Sequence, residues 1–303
     1  MTKNRSKLIF FIAAVLWGAS YSIQKPFLEH INPITYTFWS FFLSGIIFLV
    51  YAIYKKIPIT YRWREGIILG IFVSGMEILE MVGLNITSSA NTVFITNFGM
   101  LLVPYIGYLM YKDKIKIEDN LAIIMATIGM YLLVGGLNGF GVGEIILLVS
   151  ALSSAFYFIY SERFEGEKAT HMTTLCLQQF FVITLICLIW GLMDNKIIFA
   201  VDEPFRLTLL WQVILFTTIP YAIIQWSSRW ADEITAAIYD GVVEPLVGAV
   251  FAWYIFQEVT SATKIFGGML MIISFVIASI ISEKHFLYIE LKKIKFVLSK
   301  KSC

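Results

Sequence analysis

Ten stretches of mostly apolar residues follow one another along this chain, each close to the length that crosses a bilayer, with only short connections between them. Their approximate spans are 8–25, 34–54, 66–86, 91–111, 120–137, 143–161, 172–193, 208–229, 234–256 and 264–282. A helix needs about 20 such residues to cross a hydrocarbon core about 30 Å thick. Within that core the backbone must satisfy its own N–H and C=O groups, and a helix does so inside one segment. The pattern predicts an all-α integral membrane protein with ten transmembrane helices. Composition agrees: 58% of the 303 residues are hydrophobic and 15% are charged, where soluble domains run at about 45–50% and about 25%. The connections leave no room for a separate soluble domain.

The bias of Lys and Arg sets the orientation. With the N-terminus in the cytoplasm, 19 of the 23 Lys and Arg fall on the inner side, and only Lys25, Lys196, Arg206 and Lys264 lie outside. A missed or invented helix would scramble this split. Ten spans with both termini cytoplasmic is the expectation, in a plasma membrane such as the bacterial inner membrane. The net charge of +2 is too small to imply a nucleic-acid partner. The start (Lys3, Arg5, Lys7, then an apolar run from Leu8) has no A-x-A-like cleavage site, so it reads as a retained first helix. Beyond Lys284, Leu287, Leu291, Ile294 and Leu298 recur at helical spacing among lysines. Residues 284–303 therefore read as a basic amphipathic helix on the anionic inner leaflet, or alternatively as a disordered tail.

Four acids interrupt the apolar runs: Glu77 and Glu80 in the third, Asp240 and Glu244 in the ninth. Spacings of three and four residues put each pair on one helix face. A carboxylate in hydrocarbon is costly, so it faces a partner, a water-filled cavity or a substrate path. A protonatable acid at that depth is also what proton coupling requires. Glu244 has a structural alternative, because Pro245 beside it frees a backbone carbonyl that a neutral acid could bond. Aromatic rings lie in these and in other apolar runs: Trp17, Tyr21, Phe94, Phe98, Tyr157, Trp226 and Tyr239. A cation over such rings gains about 0.5–2 kcal/mol. Trp63, Trp190, Trp211 and Trp253 read instead as an interfacial belt. Asn91, Asn97, Gln178, Gln179 and Gln225 could orient a ligand or bond helix to helix. Lys25 reads as a helix-end residue snorkelling to the headgroups. Pro104, Pro220 and Pro245 interrupt their helices, and the Gly pairs at 135–136 and 267–268 allow close helix contact. No cofactor is implied. Cys176 and Cys187 are about 16 Å apart on one helix, too far for a disulfide, and the scattered His and Cys form no metal-ligand spacing.

A weak internal repeat is visible at an offset of 145, which sets Glu80 on Gln225 and Asp113 on Glu258. Five helices per half is odd, so the second half would insert inverted, with a site at the repeat interface. The motifs Leu16-Trp17-Gly18-Ala19-Ser20 with Lys25, Leu84-Asn85-Ile86-Thr87-Ser88-Ser89-Ala90-Asn91, and Glu244-Pro245 ahead of Glu258 resemble those of EamA-type carriers in the drug/metabolite transporter superfamily. The resemblance covers residues 8 to 282 and keeps the motif order. It implies two inverted five-helix halves around a central cavity, with passage of small metabolites. It does not name a cargo. Two departures stand out. Helix two lacks the Arg that many relatives carry, having Trp39 and Ser40 near that position, and Asp240 is acidic where relatives often have a small residue.

Taken together, these residues predict a secondary carrier of a small organic solute working by alternating access. Residues 1–137 and 138–283 form its repeats, and membrane lipid and protons are its other partners. The absence of a P-loop excludes direct ATP drive, and no nucleophile–base pair supports an enzyme. A channel is the other rival. The expected binding residues are Glu77, Glu80, Asp240, Glu244, Trp17, Tyr21, Asn97, Tyr157, Gln225 and Tyr239. With acids and rings there, the expected cargo is an organic cation or amino-acid-like amine, and the runner-up is an uncharged or aromatic metabolite.

Overall fold

The computed structural model describes residues 3–112, 114–161, 169–193, 205–227, 239–257 and 261–278. Among them all regular structure is helical. The helices are α1 (Lys3–Leu28), α2 (Pro33–Tyr54), α3 (Trp63–Ile86), α4 (Ser89–Asn97), α5 (Gly99–Tyr111), α6 (Ile117–Val134), α7 (Val142–Ser161), α8 (Ala169–Met193), α9 (Phe205–Gln212), α10 (Ile219–Ser227), α11 (Glu244–Phe256) and α12 (Ala262–Ala278). Eight stretches among the described residues are long and apolar enough to cross a membrane, from Lys7–Leu28 to Phe205–Ile224, and Gly241–Phe256 and Ala262–Ala278 are shorter apolar helices. The expectations for the tail from Lys284, and for Asp113 and Glu258, lie outside the described residues.

Local chemistry starts and stops these helices where the sequence provides for it. Asn32 accepts from the Ile34 N–H at 2.8 Å ahead of Pro33, a cap followed by a residue that needs no donor. Ser88 caps α4 in the same way by accepting from Asn91 N at 3.0 Å. Gly135 (φ +95°) ends α6 and Gly136 (φ +78°) follows it, conformations that suit glycine. This pair is thus a helix stop and not the close helix contact expected from sequence. The other pair does make such a contact. A Cβ on Gly267 would stand 2.5 Å from the Gly129 carbonyl, so α12 and α6 cross backbone to backbone.

The bundle is apolar on its outside and carries small polar residues within. Ile53, Phe181 and Val250 are more than half exposed. Ser44, Ser150, Thr92 and Ser274 are fully buried. Their hydroxyls bond across helices, as Ser44 with Thr218 at 2.8 Å, or to backbone, as Ser150 to the Met76 carbonyl at 2.7 Å. An outer surface that meets lipid has no hydrophobic incentive to be hidden, so packing and hydrogen bonds take over inside. Trp63, Trp190, Trp211 and Trp253 are all exposed, as a belt requires. Phe94 and Phe98 are instead buried in the main core. α3 packs on α7 and α8, α2 on α8, and α1 on α11.

Among the described residues, three of the apolar runs are irregular. α4 and α5 part at Phe98, six residues before the expected break at Pro104, which sits inside α5. The cause lies in side chains that take backbone acceptors: Thr96 Oγ1 donates to the Thr92 carbonyl and Asn97 Nδ2 to the Val93 carbonyl, both at 2.9 Å. Pro220 follows a π-helical stretch, Val213–Thr218, and Pro245 follows another, Tyr239–Val243. Each proline lacks the N–H that would close an ordinary turn.

Candidate functional site

Gly18 and Gly248 bring α1 and α11 together. A Cβ on Gly18 would lie 2.5 Å from the Glu244 carbonyl, and one on Gly248 would lie 3.2 Å from the Gly18 carbonyl. One turn beyond Gly18, Tyr21 therefore faces the Glu244 side chain, and its phenol donates to Oε1 at 2.9 Å. Asn97, the last residue of α4, donates Nδ2 to the same oxygen at 3.1 Å. Both donors are neutral, so they orient the carboxylate without cancelling its charge. Glu244 is only 6% exposed. Its place at the start of α11, after the π turn, gives the carboxylate fixed neighbours from α1 and α4.

Glu80 and Glu77 approach from α3. Glu80 lies one turn from Glu77 on α3, within electrostatic reach of Glu244 and of the Tyr21 phenol. Glu77 accepts from the Tyr221 hydroxyl at 2.7 Å. Both α3 acids keep partial exposure although they sit mid-helix. Tyr221 is held edge-on by Trp17, Phe41 and Phe180, with ring centroids 5.9, 6.0 and 5.1 Å away. Trp17 is itself anchored. Its Nε1–H donates at 3.1 Å to the carbonyl of Phe216, four residues before Pro220 and so the one that this proline cannot bond. Three carboxylates thus share one neighbourhood, walled by Trp17, Tyr21 and Tyr221.

The other expected residues fall as follows. Tyr157 lies near Glu77, and its hydroxyl donates to Gln179 Oε1 at 3.4 Å across α7 and α8. Tyr239 packs edge-on against Phe11, 6.0 Å away on the outward side of α1. Asp240 belongs to the π turn beside Gly241 and Gln225 to α10, and both side chains lie outside the described residues.

Two features escaped the sequence reading. Tyr221 is one; its only signal was its place directly after Pro220. The other is Glu144, at the start of α7. Its Oε1 accepts from the Thr87 hydroxyl and, at 3.0 Å, from Asn91 Nδ2, while Oε2 accepts from the Gly141 N–H at 3.0 Å. Lys25 Nζ donates to the Thr87 carbonyl. Lys25 therefore docks α1 on the α3–α4 turn, which corrects the snorkelling expectation: a carbonyl within reach competes with headgroups for the ammonium. This network ties α1, the α3–α4 turn and α7 at one end of the bundle.

Comparison with known proteins extends the picture. The profile of the EamA-like transporter family matches residues 5–135 and 141–280. An uncharacterized transporter of Archaeoglobus fulgidus (strain ATCC 49558 / DSM 4304 / JCM 9628 / NBRC 100126 / VC-16) is 24% identical over 271 residues, covering 89% of this chain and 84% of its own. A protein of Chlamydia muridarum (strain MoPn / Nigg) named as an S-adenosylmethionine/S-adenosylhomocysteine transporter is 19% identical over 276 residues, covering 82% and 84%. One solved crystal structure superposes with a TM-score of 0.63 at 15% identity, over 93% of this chain and 98% of that one, a likeness of fold.

Proposed function

The chain belongs to the EamA-like transporter family, and from that premise we propose that it is a secondary carrier of a small organic cation or amino-acid-like amine. The observation that carries this reading is the carboxylate neighbourhood of Glu77, Glu80 and Glu244 walled by Trp17, Tyr21 and Tyr221. An anion entering it would meet repulsion, and at short range in a low-dielectric interior that repulsion is strong. An amine or onium group meets opposite charge and ring faces. The name of the Chlamydia muridarum relative supports the same class, because S-adenosylmethionine carries both a sulfonium and an amino group. Asp240, whose position in the sequence is one turn before Glu244, is the fourth acid of the proposed site, and Asn97, Tyr157 and Gln225 complete its expected lining, without Tyr239, which packs on the outward side of α1.

In this reading the ten apolar runs form two inverted five-helix repeats, residues 1–137 and 138–283, and the site is exposed alternately to the two sides. Protons exchange at one of the acids. Cargo affinity then falls at low pH, where carboxylates are neutralised and the attraction disappears.

The test is a thermal-shift screen of purified protein against a metabolite panel. A ligand at a hundredfold excess over its Kd stabilises by about 2.7 kcal/mol. Amines and onium compounds should raise Tm, and Glu77→Gln or Glu244→Gln should remove the shift. A screen that returns only anions, or variants that respond as the wild type does, would overturn the cargo assignment.

A further inference from the structure

Seven buried side-chain atoms among the described residues have no hydrogen-bond partner, and three of them sit together: Gln24 Oε1, Tyr36 Oη and Ser40 Oγ. All three residues are at least nine-tenths buried. Gln24 is on the last turns of α1, and Tyr36 and Ser40 are one turn apart at the start of α2. Gln24 and Ser40 stand close enough to the Tyr36 phenol to interact with it but fall short of hydrogen-bond geometry, and Glu77 lies within electrostatic range of it. Gln212 Oε1, at the end of α9, is unpartnered as well, and α9 begins against Phe27 and His30 beside the α1–α2 turn. Buried polar atoms are rarely left so, because each one costs its full desolvation. A buried water takes about three hydrogen bonds from such groups, and a hydroxyl can both accept and donate.

We propose that Gln24, Tyr36 and Ser40 line a buried water chain that leads from the α1–α2 end of the bundle to Glu77, making Glu77 the carboxylate that exchanges protons with that side. Glu244 is a poorer candidate, since Tyr21 and Asn97 already occupy its Oε1. The groups facing Glu77 are Tyr221 from α10, Tyr157 from α7, Tyr36 from α2 and Glu80 on its own helix. The proposal rests on the carrier reading for its purpose, but the route itself is measured without cargo.

The experiment is infrared H/D exchange on the full-length protein at acid pH, following the protonated carboxyl band that Glu77→Gln removes. In the wild type this band should shift to its deuterated position well before the buried backbone amides exchange. Tyr36→Phe combined with Ser40→Ala should slow the shift by about tenfold or more. Ser40→Ala alone, a smaller change, serves if the double variant does not fold, with the same criterion. A band absent from the outset, one that exchanges no faster than the amides, or an unchanged rate in the variant overturns the proposal. X-ray radiolytic labelling, which requires adjacent water, gives a second reading: Tyr36 should be modified, and an unmodified Tyr36 beside a modified exposed Tyr254 sinks the water chain. A metabolite screen without amine hits would defeat the cargo reading and leave this result untouched.

Discussion

Glu244 has two neutral donors on one oxygen, and this arrangement separates its role from that of Glu77. A hydrogen bond to a charged group contributes about 1.5–3 kcal/mol, so Tyr21→Phe should destabilise the protein by that order in chemical denaturation. Because the phenol acts through the charge of Glu244, the cost should fall to about 0.5–1.5 kcal/mol in a Glu244→Gln background, where the amide oxygen still accepts but is neutral; additive losses in the double variant would disprove the coupling. Tyr21, Asn97 and Glu244 were all readable as polar interruptions of apolar runs, and the structure places them together. Tyr221 and Glu144 were not readable in the same way. Tyr221 resembles any aromatic in an apolar helix until Pro220 and the long-range contact of Trp17 with Phe216 give it an orientation. Glu144 resembles an ordinary acid in a first helical turn, and its partners Thr87 and Asn91 are more than fifty residues away.

At the scale of the helix, the informative departures from regularity are the Phe98 break and the two π stretches. Proline spelled out the latter, since Pro220 and Pro245 each follow one. The Phe98 break could not be read, because it depends on Thr96 and Asn97 folding back on their own backbone, and sequence alone gave Pro104 the stronger claim. Pro220→Ala restores an N–H that competes with Trp17 for the Phe216 carbonyl. Turnover in proteoliposomes should change more than the ligand Kd, because the substitution relieves the irregular turn and leaves the carboxylates in place. Weakened binding with normal turnover would refute that division. The glycine crossings permit a second check. Gly267→Leu must push α12 away from α6, and overpacking of this kind costs about 1–3 kcal/mol, visible as a lowered Tm. An unchanged Tm would mean that the two backbones are not in contact.

For the molecule as a whole, the helical class followed directly from the length and polarity of the apolar runs, and family membership supplies the transporter assignment. Orientation rests on the distribution of Lys and Arg. A cysteine placed within 194–204 should react with an impermeant thiol reagent added outside intact cells, and one placed at 114–116 should not; the opposite pattern would invert the topology. The crossing of α1 over α11 has a mechanical consequence. Gly18 and Gly248 leave no compressible side chain between the two backbones, so the spacing of Tyr21 from Glu244 is fixed by hard carbonyl contact. A thinner or thicker bilayer tilts helices at a cost of fractions of a kcal/mol per Å, and that strain must be absorbed where side chains can still slide. Ligand affinity should therefore hold constant across vesicles of different acyl-chain length while the transport rate varies with thickness.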